Sequence, residues 1–228
     1  MRKIKLCIVL LFCALTIHSQ QKEFEEILGK QNVKTLNFLL QDFEENILKK
    51  RYPSVSLQDA YYKLITEVSE EKLLPKELLS TKMKNTFDNS VLKRQIYCLT
   101  DTVFLGNSRH GVKKNKGKAI IASYKCLNPN GRIINTHAEF YFNDNKKSLN
   151  ETLLFAKNSL QANLTGKYLK ALKGVKIKSQ FLKKYIEFIE NTGDLRHPST
   201  LSIILTRENI KLDNFLIKRI ILLNIIYT

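Results

Sequence analysis

AIIASYKCL (residues 119–127), NPNG (128–131) and RIINTHAEFYF (132–142) stand consecutively in the chain. The outer segments are rich in β-branched and aromatic residues, which suit a pleated, half-buried surface, and the centre is a strong turn signal. Together they predict a β-hairpin. Either plausible register of this hairpin pairs even positions of the first strand with odd positions of the second. Side chains alternate along a strand, so one face would carry Ile121, Ser123, Lys125, Ile134, Thr136, Ala138, Phe140 and Phe142. That face is mostly apolar and is expected to meet the core. The other would carry Ile120, Ala122, Tyr124, Cys126, Ile133, Asn135, His137, Glu139 and Tyr141.

Upstream, Ile96 to Leu105 reads as a further strand on the same compositional grounds. The first third reads helical. Val33, Leu36, Leu39, Leu40, Phe43, Ile47 and Leu48 recur at the spacing of one helix face, and Phe24, Ile27 and Leu28 begin that stripe before Gly29. Ser56, with Asp59 three residues on, starts a helix to about Val68, and Pro75 is placed to open a third through about Phe87. After the hairpin, Ser148 and Glu151 form a capping box before a helix over 149–164, followed by a shorter one from about Gly166 to Leu172. Ser179 to Asn191 is amphipathic and closed by Gly193.

Leu201–Leu205 and Phe215–Tyr227 are apolar. The latter contains Lys218 and Arg219 and is too short to span a bilayer. It reads as a helix capped by Asp213, although its periodicity also admits a strand. The expected fold is α+β: a predominantly helical single domain over 21–228, with a small antiparallel sheet between amino- and carboxy-terminal helical groups.

Residues 1–20 differ in character. Arg2, Lys3 and Lys5 precede Leu6 to Ile17, where only Thr16 is polar, and His18, Ser19 and Gln20 follow. That order is the order of a cleavable secretory signal peptide. Phe12 before Cys13 and the apolar residues after it speak against a lipoprotein leader. The Ser19-Gln20-Gln21 junction resembles those of exported proteins of Bacteroidota, a resemblance confined to the leader that implies no activity. The expected location is the periplasm or the outside of the cell, with no transmembrane segment in the mature chain.

The chain carries 38 Lys and Arg against 21 Asp and Glu, a net charge of +17. The leader holds three of these positive charges, which leaves +14. Such a charge attracts nucleic acid, anionic lipid or acidic glycan. Yet only 8 of the basic residues are Arg, whereas nucleic-acid readers favour the bidentate Arg fork. A Lys-, Ile- and Asn-rich composition also follows from an AT-rich genome whatever the protein does. Cys7 and Cys13 leave with the leader. Cys98 and Cys126 remain, either as one disulfide worth about 3 kcal/mol or as two buried thiols.

Two groups of residues are candidates for chemistry. In GNSRHGVKKNKGK (106–118), Arg109, His110, Lys113, Lys114, Lys116 and Lys118 are interleaved with Gly106, Gly111 and Gly117. Glycines let backbone amides approach an anion and cations neutralise it, so the loop is an anion-binding candidate. The plainer reading is a solvated connection between strands. It is not a P-loop, because the glycine spacing differs and no Gly-Lys-Ser/Thr follows. His137 and Glu139, two apart on a strand, project to one side. A carboxylate near an imidazole can set its tautomer, as an acid–base pair requires; an ordinary polar sheet face explains the pair more simply. There is no Gly-x-Ser-x-Gly, no cofactor motif, and no cysteine partnered at metal-ligand spacing. No cofactor and no metal are expected.

Function therefore separates into three classes. The leading one is a non-enzymatic exported binding or interaction protein of the cell envelope. The second is a hydrolase-like envelope enzyme with His137 and Glu139 as catalytic residues and Arg109 and Lys114 holding an anionic substrate. The third is a charge-driven binder of nucleic acid, anionic lipid or glycan. The partner is open between an anionic ligand and an envelope protein. Intact-mass analysis after expression in an exporting host is expected to give a mature chain beginning at Gln20 or Gln21; a retained leader would remove the expectation of export.

Overall fold

Apolar residues at helical spacing produce the first elements. The computed structural model describes residues 19–108, 117–143, 146–176, 178–195, 197–208, 210–212 and 214–226. Helices α1 (19–28) and α2 (Lys30–Asp42) meet at Gly29, whose φ of 88° lies in the left-handed region. The chain continues through a π-helical turn, Phe43–Leu48, and a last turn, Lys49–Arg51. Helix α3 (Leu57–Ser69) starts where the Ser56 hydroxyl accepts from the Asp59 N–H at 3.1 Å. The helix expected to begin at Pro75 is broken in two. Pro75–Leu78 forms a 3-10 turn, and the Ser80 hydroxyl accepts from the Met83 N–H to cap a separate α4 (Thr81–Asp88). A side-chain cap satisfies a donor that a continuous helix would leave to its own backbone, so Ser80 ends one element and begins another. Helix α5 (Val91–Ile96) leads into the sheet.

The sheet comprises β1 (Tyr97–Asn107), β2 (Lys118–Leu127), β3 (Ile133–Phe140) and, after α6 (Lys146–Asn158), β4 (Leu160–Ala162). All pairings are antiparallel in the order β3-β2-β1-β4. The hairpin connection is shorter than NPNG suggests. The Asn128 N–H donates to the Arg132 carbonyl at 2.9 Å, so these two residues pair and only Pro129, Asn130 and Gly131 form the loop. The Asn128 side-chain oxygen accepts from the N–H groups of Asn130 and Arg132, and Gly131 adopts φ 79°. A three-residue loop ending in a left-handed glycine is a common hairpin solution.

That loop corrects the expected pairing: even positions face even positions, with Ile120 opposite Phe140, Tyr124 opposite Thr136 and Ser123 opposite His137. Ile120, Ala122, Tyr124 and Cys126 are therefore the inward residues of β2, and Ser123 and Lys125 turn away. For β3, Ala138 and Phe140 pack inward as their composition suggests. Leu149, Leu153 and Ala156 of α6 cover this face, and the Tyr124 hydroxyl donates to the Ser159 hydroxyl at 2.6 Å. Ser148 lies inside α6 and accepts from the Asn143 N–H. Cys98 and Cys126 are joined across β1 and β2 with Cα atoms 4.2 Å apart. So close an approach is the spacing of directly opposed, non-hydrogen-bonded residues in an antiparallel pair.

The remaining helices are α7 (Lys167–Gly174), α8 (Gln180–Thr192), α9 (Pro198–Arg207) and α10 (Phe215–Ile226). Gly193 at φ 68° closes α8, and Ser179 caps its start. Helix α10 is capped by Asn214, whose side-chain oxygen accepts from the Leu216 and Ile217 N–H groups; Asp213 lies outside the described residues. The described residues divide into a helical unit, 19–93 with 170–226, and a sheet unit within 94–169. The fold is α+β and predominantly helical. Within the helical unit α9 packs on α3, and α10 is buried along nearly its whole length. Its Arg219 donates to the Phe215 carbonyl at 3.1 Å and to the Asn37 side chain, and its guanidinium lies 3.5 Å from the Phe215 ring centroid. Burial pushes the Arg219 pKa down to about 10.

The helix expected over 149–164 stops at Asn158 because Asn163 ties the next residues to the far end of the sheet unit. Asn163 is 2% exposed. Its side-chain nitrogen donates to the Arg94 and Leu127 carbonyls, both at 2.8 Å, and its oxygen accepts from Thr165. Each carbonyl left without a partner in such a setting costs about 1–3 kcal/mol. Asn163→Ala is therefore expected to lower the unfolding free energy by about 2–4 kcal/mol in chemical denaturation; a loss under about 1 kcal/mol would show that those carbonyls are satisfied without it.

Candidate functional site

Helix α6 covers one face of the sheet, and His137 and Glu139 lie on the other. Strand register sets them in rows. Thr102, Ser123 and His137 form one row across β1, β2 and β3, and Phe104, Ile121 and Glu139 form the next. A bulge at Asp101, between Thr100 and Thr102, shifts the alternation of β1, so that Thr102 and Phe104 share this face. Asp101 itself pairs with Lys125 at 2.7 Å. Phe104 is 51% exposed, Ile121 beside it is buried, and His137 and Tyr141 are exposed.

The structure brings His137 and Glu139 to one face but does not join them. The Oε2 atom of Glu139 accepts from the Ser108 hydroxyl at 2.8 Å and from the Tyr141 hydroxyl at 3.0 Å, and those two hydroxyl oxygens are 3.3 Å apart. Among the described residues His137 makes no hydrogen bond or ion pair. A carboxylate fixes an imidazole's tautomer only through a hydrogen bond to it; here the Glu139 carboxylate accepts from two hydroxyls. Ser108 is the residue that sequence does not point to, since it comes from β1's end, 31 positions from Glu139. The Glu139–Tyr141 contact does have a sequence signal, the i, i+2 spacing of a strand.

Of the anion-binding candidates, Arg109, His110, Lys113, Lys114 and Lys116 lie outside the described residues. Lys118 opens β2, where its Nζ donates to the Asn107 side chain at 2.8 Å. The Ser108 N–H donates to the Gly117 carbonyl at 2.7 Å, extending the β1–β2 ladder by one bond. By sequence the sheet unit holds 12 Lys and Arg against 4 Asp and Glu, a net charge of +8 in 76 residues. The joined Cys98 and Cys126 are buried on the covered face, away from His137. Among the described residues no group of three His, Cys, Asp or Glu could hold a metal, and no helix is long and apolar enough to cross a membrane. In the helical unit a hollow of about 250 Å³ has Ser179, Leu182, Lys211 and Leu216 in its wall; Lys211 is the one charged residue of its described lining.

Compared with known protein families, with curated proteins and with solved structures, the chain matches none.

An exposed side chain without partners contributes little to stability. His137→Ala is expected to change the unfolding free energy by less than about 0.5 kcal/mol. Glu139→Ala, which strips the acceptor from two hydroxyls, should cost more. Thermal denaturation of the two variants side by side checks the order, and the reverse order would assign His137 a structural role.

Proposed function

We propose that the chain is an exported, non-enzymatic binding protein of the cell envelope whose sheet unit carries the recognition surface for an anionic ligand. The observation behind this reading is the engagement of Glu139. With its carboxylate held by Ser108 and Tyr141, His137 lacks the partner that acid–base chemistry needs. What the face then offers is display: Phe104 and Tyr141 as flat apolar surfaces, Thr102, Ser123 and His137 as polar groups between them. Export is supported by the leader and by the Cys98–Cys126 bond, since disulfides persist in oxidising compartments. The +8 of the sheet unit supports an anionic partner, because a field of one sign raises the local concentration of the opposite charge.

The test is retention of the mature chain on immobilised heparin across a salt series. Affinity is expected to fall about tenfold or more between low and moderate salt, as counterion release dictates, and Arg132→Gln should make the dependence shallower by about one ion. A flat salt response would remove the anionic target. Turnover of an anionic ester that His137→Ala abolishes without loss of folding would instead bring back the hydrolase reading.

A further inference from the structure

Four apolar side chains adjoin at one end of the α6-covered face. Leu105 on β1 stands opposite Ile120 on β2, which stands opposite Phe140 on β3. Phe155 of α6 packs edge-on against Phe140, with ring centroids 5.6 Å apart and planes at 77°. Leu154 is its neighbour in the helix. Ile120 is fully buried at the middle of this row, but Leu105 is 49% exposed and Leu154 and Phe155 are each 63% exposed. Scattered apolar residues on a surface are ordinary, whereas adjoining ones point to a contact.

Two exposed lysines lie close to these residues along the strand and the helix, with one exposed carboxylate, Glu151, a turn before Leu154 and Phe155. Lys118 and Asn107 form the next pair on that face of β1 and β2 beyond Leu105 and Ile120, and Lys118 is exposed. Lys157, also exposed, follows Leu154 and Phe155 on α6. Exposed apolar tips with lysines nearby, on a unit of net charge +8, suit an interfacial contact: the tips enter the boundary between headgroups and acyl chains while the cations meet anionic lipid. Charge decides between occupants. A second copy of this unit would bring +8 against +8, and a neutral surface would leave the lysines unanswered.

We propose that the sheet unit docks on an anionic lipid bilayer, with Leu105, Leu154 and Phe155 entering the interface and Lys118 and Lys157 facing the headgroups. The contact uses the α6 side of the sheet and does not depend on the ligand reading of the opposite face.

The experiment is co-sedimentation of the mature full-length chain with vesicles of mixed phosphatidylglycerol and phosphatidylcholine, against vesicles of phosphatidylcholine alone. Binding to the mixed vesicles is expected, about tenfold weaker on the neutral ones. The double variant Leu154→Ser, Phe155→Ser should lose about tenfold in vesicle binding while heparin retention stays as in the parent. Because the chain contains no Trp, Phe155→Trp adds a single indole reporter that should shift to shorter emission wavelength on the mixed vesicles, and it serves if the double variant folds poorly. Absence of binding to anionic vesicles, unchanged indole emission from the Phe155→Trp variant on them, or full binding by a folded double variant would overturn the proposal. So would a concentration-dependent dimer in sedimentation velocity that the double variant dissolves, since the row would then be a contact between copies.

Discussion

Asn128 and Gly131 decide what each face of the sheet can be. Side chains alternate along a strand, so one residue more or less in a hairpin loop exchanges the faces of a whole strand. With Asn128 paired to Arg132 and Gly131 left-handed, Tyr124 and Cys126 turn toward α6, and Ser123 and Lys125 turn away. The consequences accumulate. Cys126 meets Cys98 on the covered side, the Tyr124 hydroxyl finds Ser159, and His137, opposite Ser123, stays outside. A loop of four residues would set His137 and Glu139 on the same side as Ala122 and Tyr124. There a carboxylate would have to be stripped of water beneath an apolar helix, which is costly without a buried cation to answer it.

The parts of the fold legible from residues alone are those decided locally. The apolar stripe of 33–48, the stripe of 181–189, the caps at Ser56 and Ser179 and the closing Gly193 all act within a turn or two of themselves. The parts misread are those where one residue has two local options and a distant partner chooses. Ser80 can continue a helix or cap a new one. Leu160–Ala162 fits a helical stripe but becomes β4 because Tyr97–Leu99 offers it a strand edge. Asn163 looks like an ordinary helix-end polar residue, and nothing nearby reveals that Arg94 and Leu127 supply its acceptors. The site divides in the same way. That His137 and Glu139 share a side follows from alternation; that Ser108 reaches Glu139 depends on the bulge at Asp101, which leaves no mark in the sequence.

The two units treat apolar surface differently. Helix α10 is apolar on nearly all sides, yet its 12 residues extend only about 18 Å, and it is enclosed rather than exposed. Enclosure even extends to its cation. Arg219 gives up water for the Phe215 carbonyl, the Phe215 ring and the Asn37 side chain, and the fall in its pKa records what that desolvation costs the charged form. Nearby, Lys218 pairs with Glu44 at 3.0 Å, and Glu44 also accepts from the Tyr61 hydroxyl at 3.1 Å. In the sheet unit the opposite holds: Leu154 and Phe155 stay in solvent although α6 has Leu149, Leu153 and Ala156 to bury. The apolar residues of α6 thus exceed what its packing against the sheet consumes.

That excess and the open face lie on opposite sides of one four-stranded layer, and the difference matters for how the proposed contacts combine. A protein that met a bilayer through the same side chains that recognise its ligand would have to release one to hold the other. Here α6 and the Leu105 row face one way, while Phe104, His137 and Tyr141 face the other. The positive charge belongs to the unit as a whole, and its field reaches both sides within about a Debye length of 8–10 Å. One charge can therefore draw the sheet unit to an anionic surface without its open face being covered. The same three-residue loop that turns His137 and Glu139 away from α6 also leaves their face uncovered by that helix.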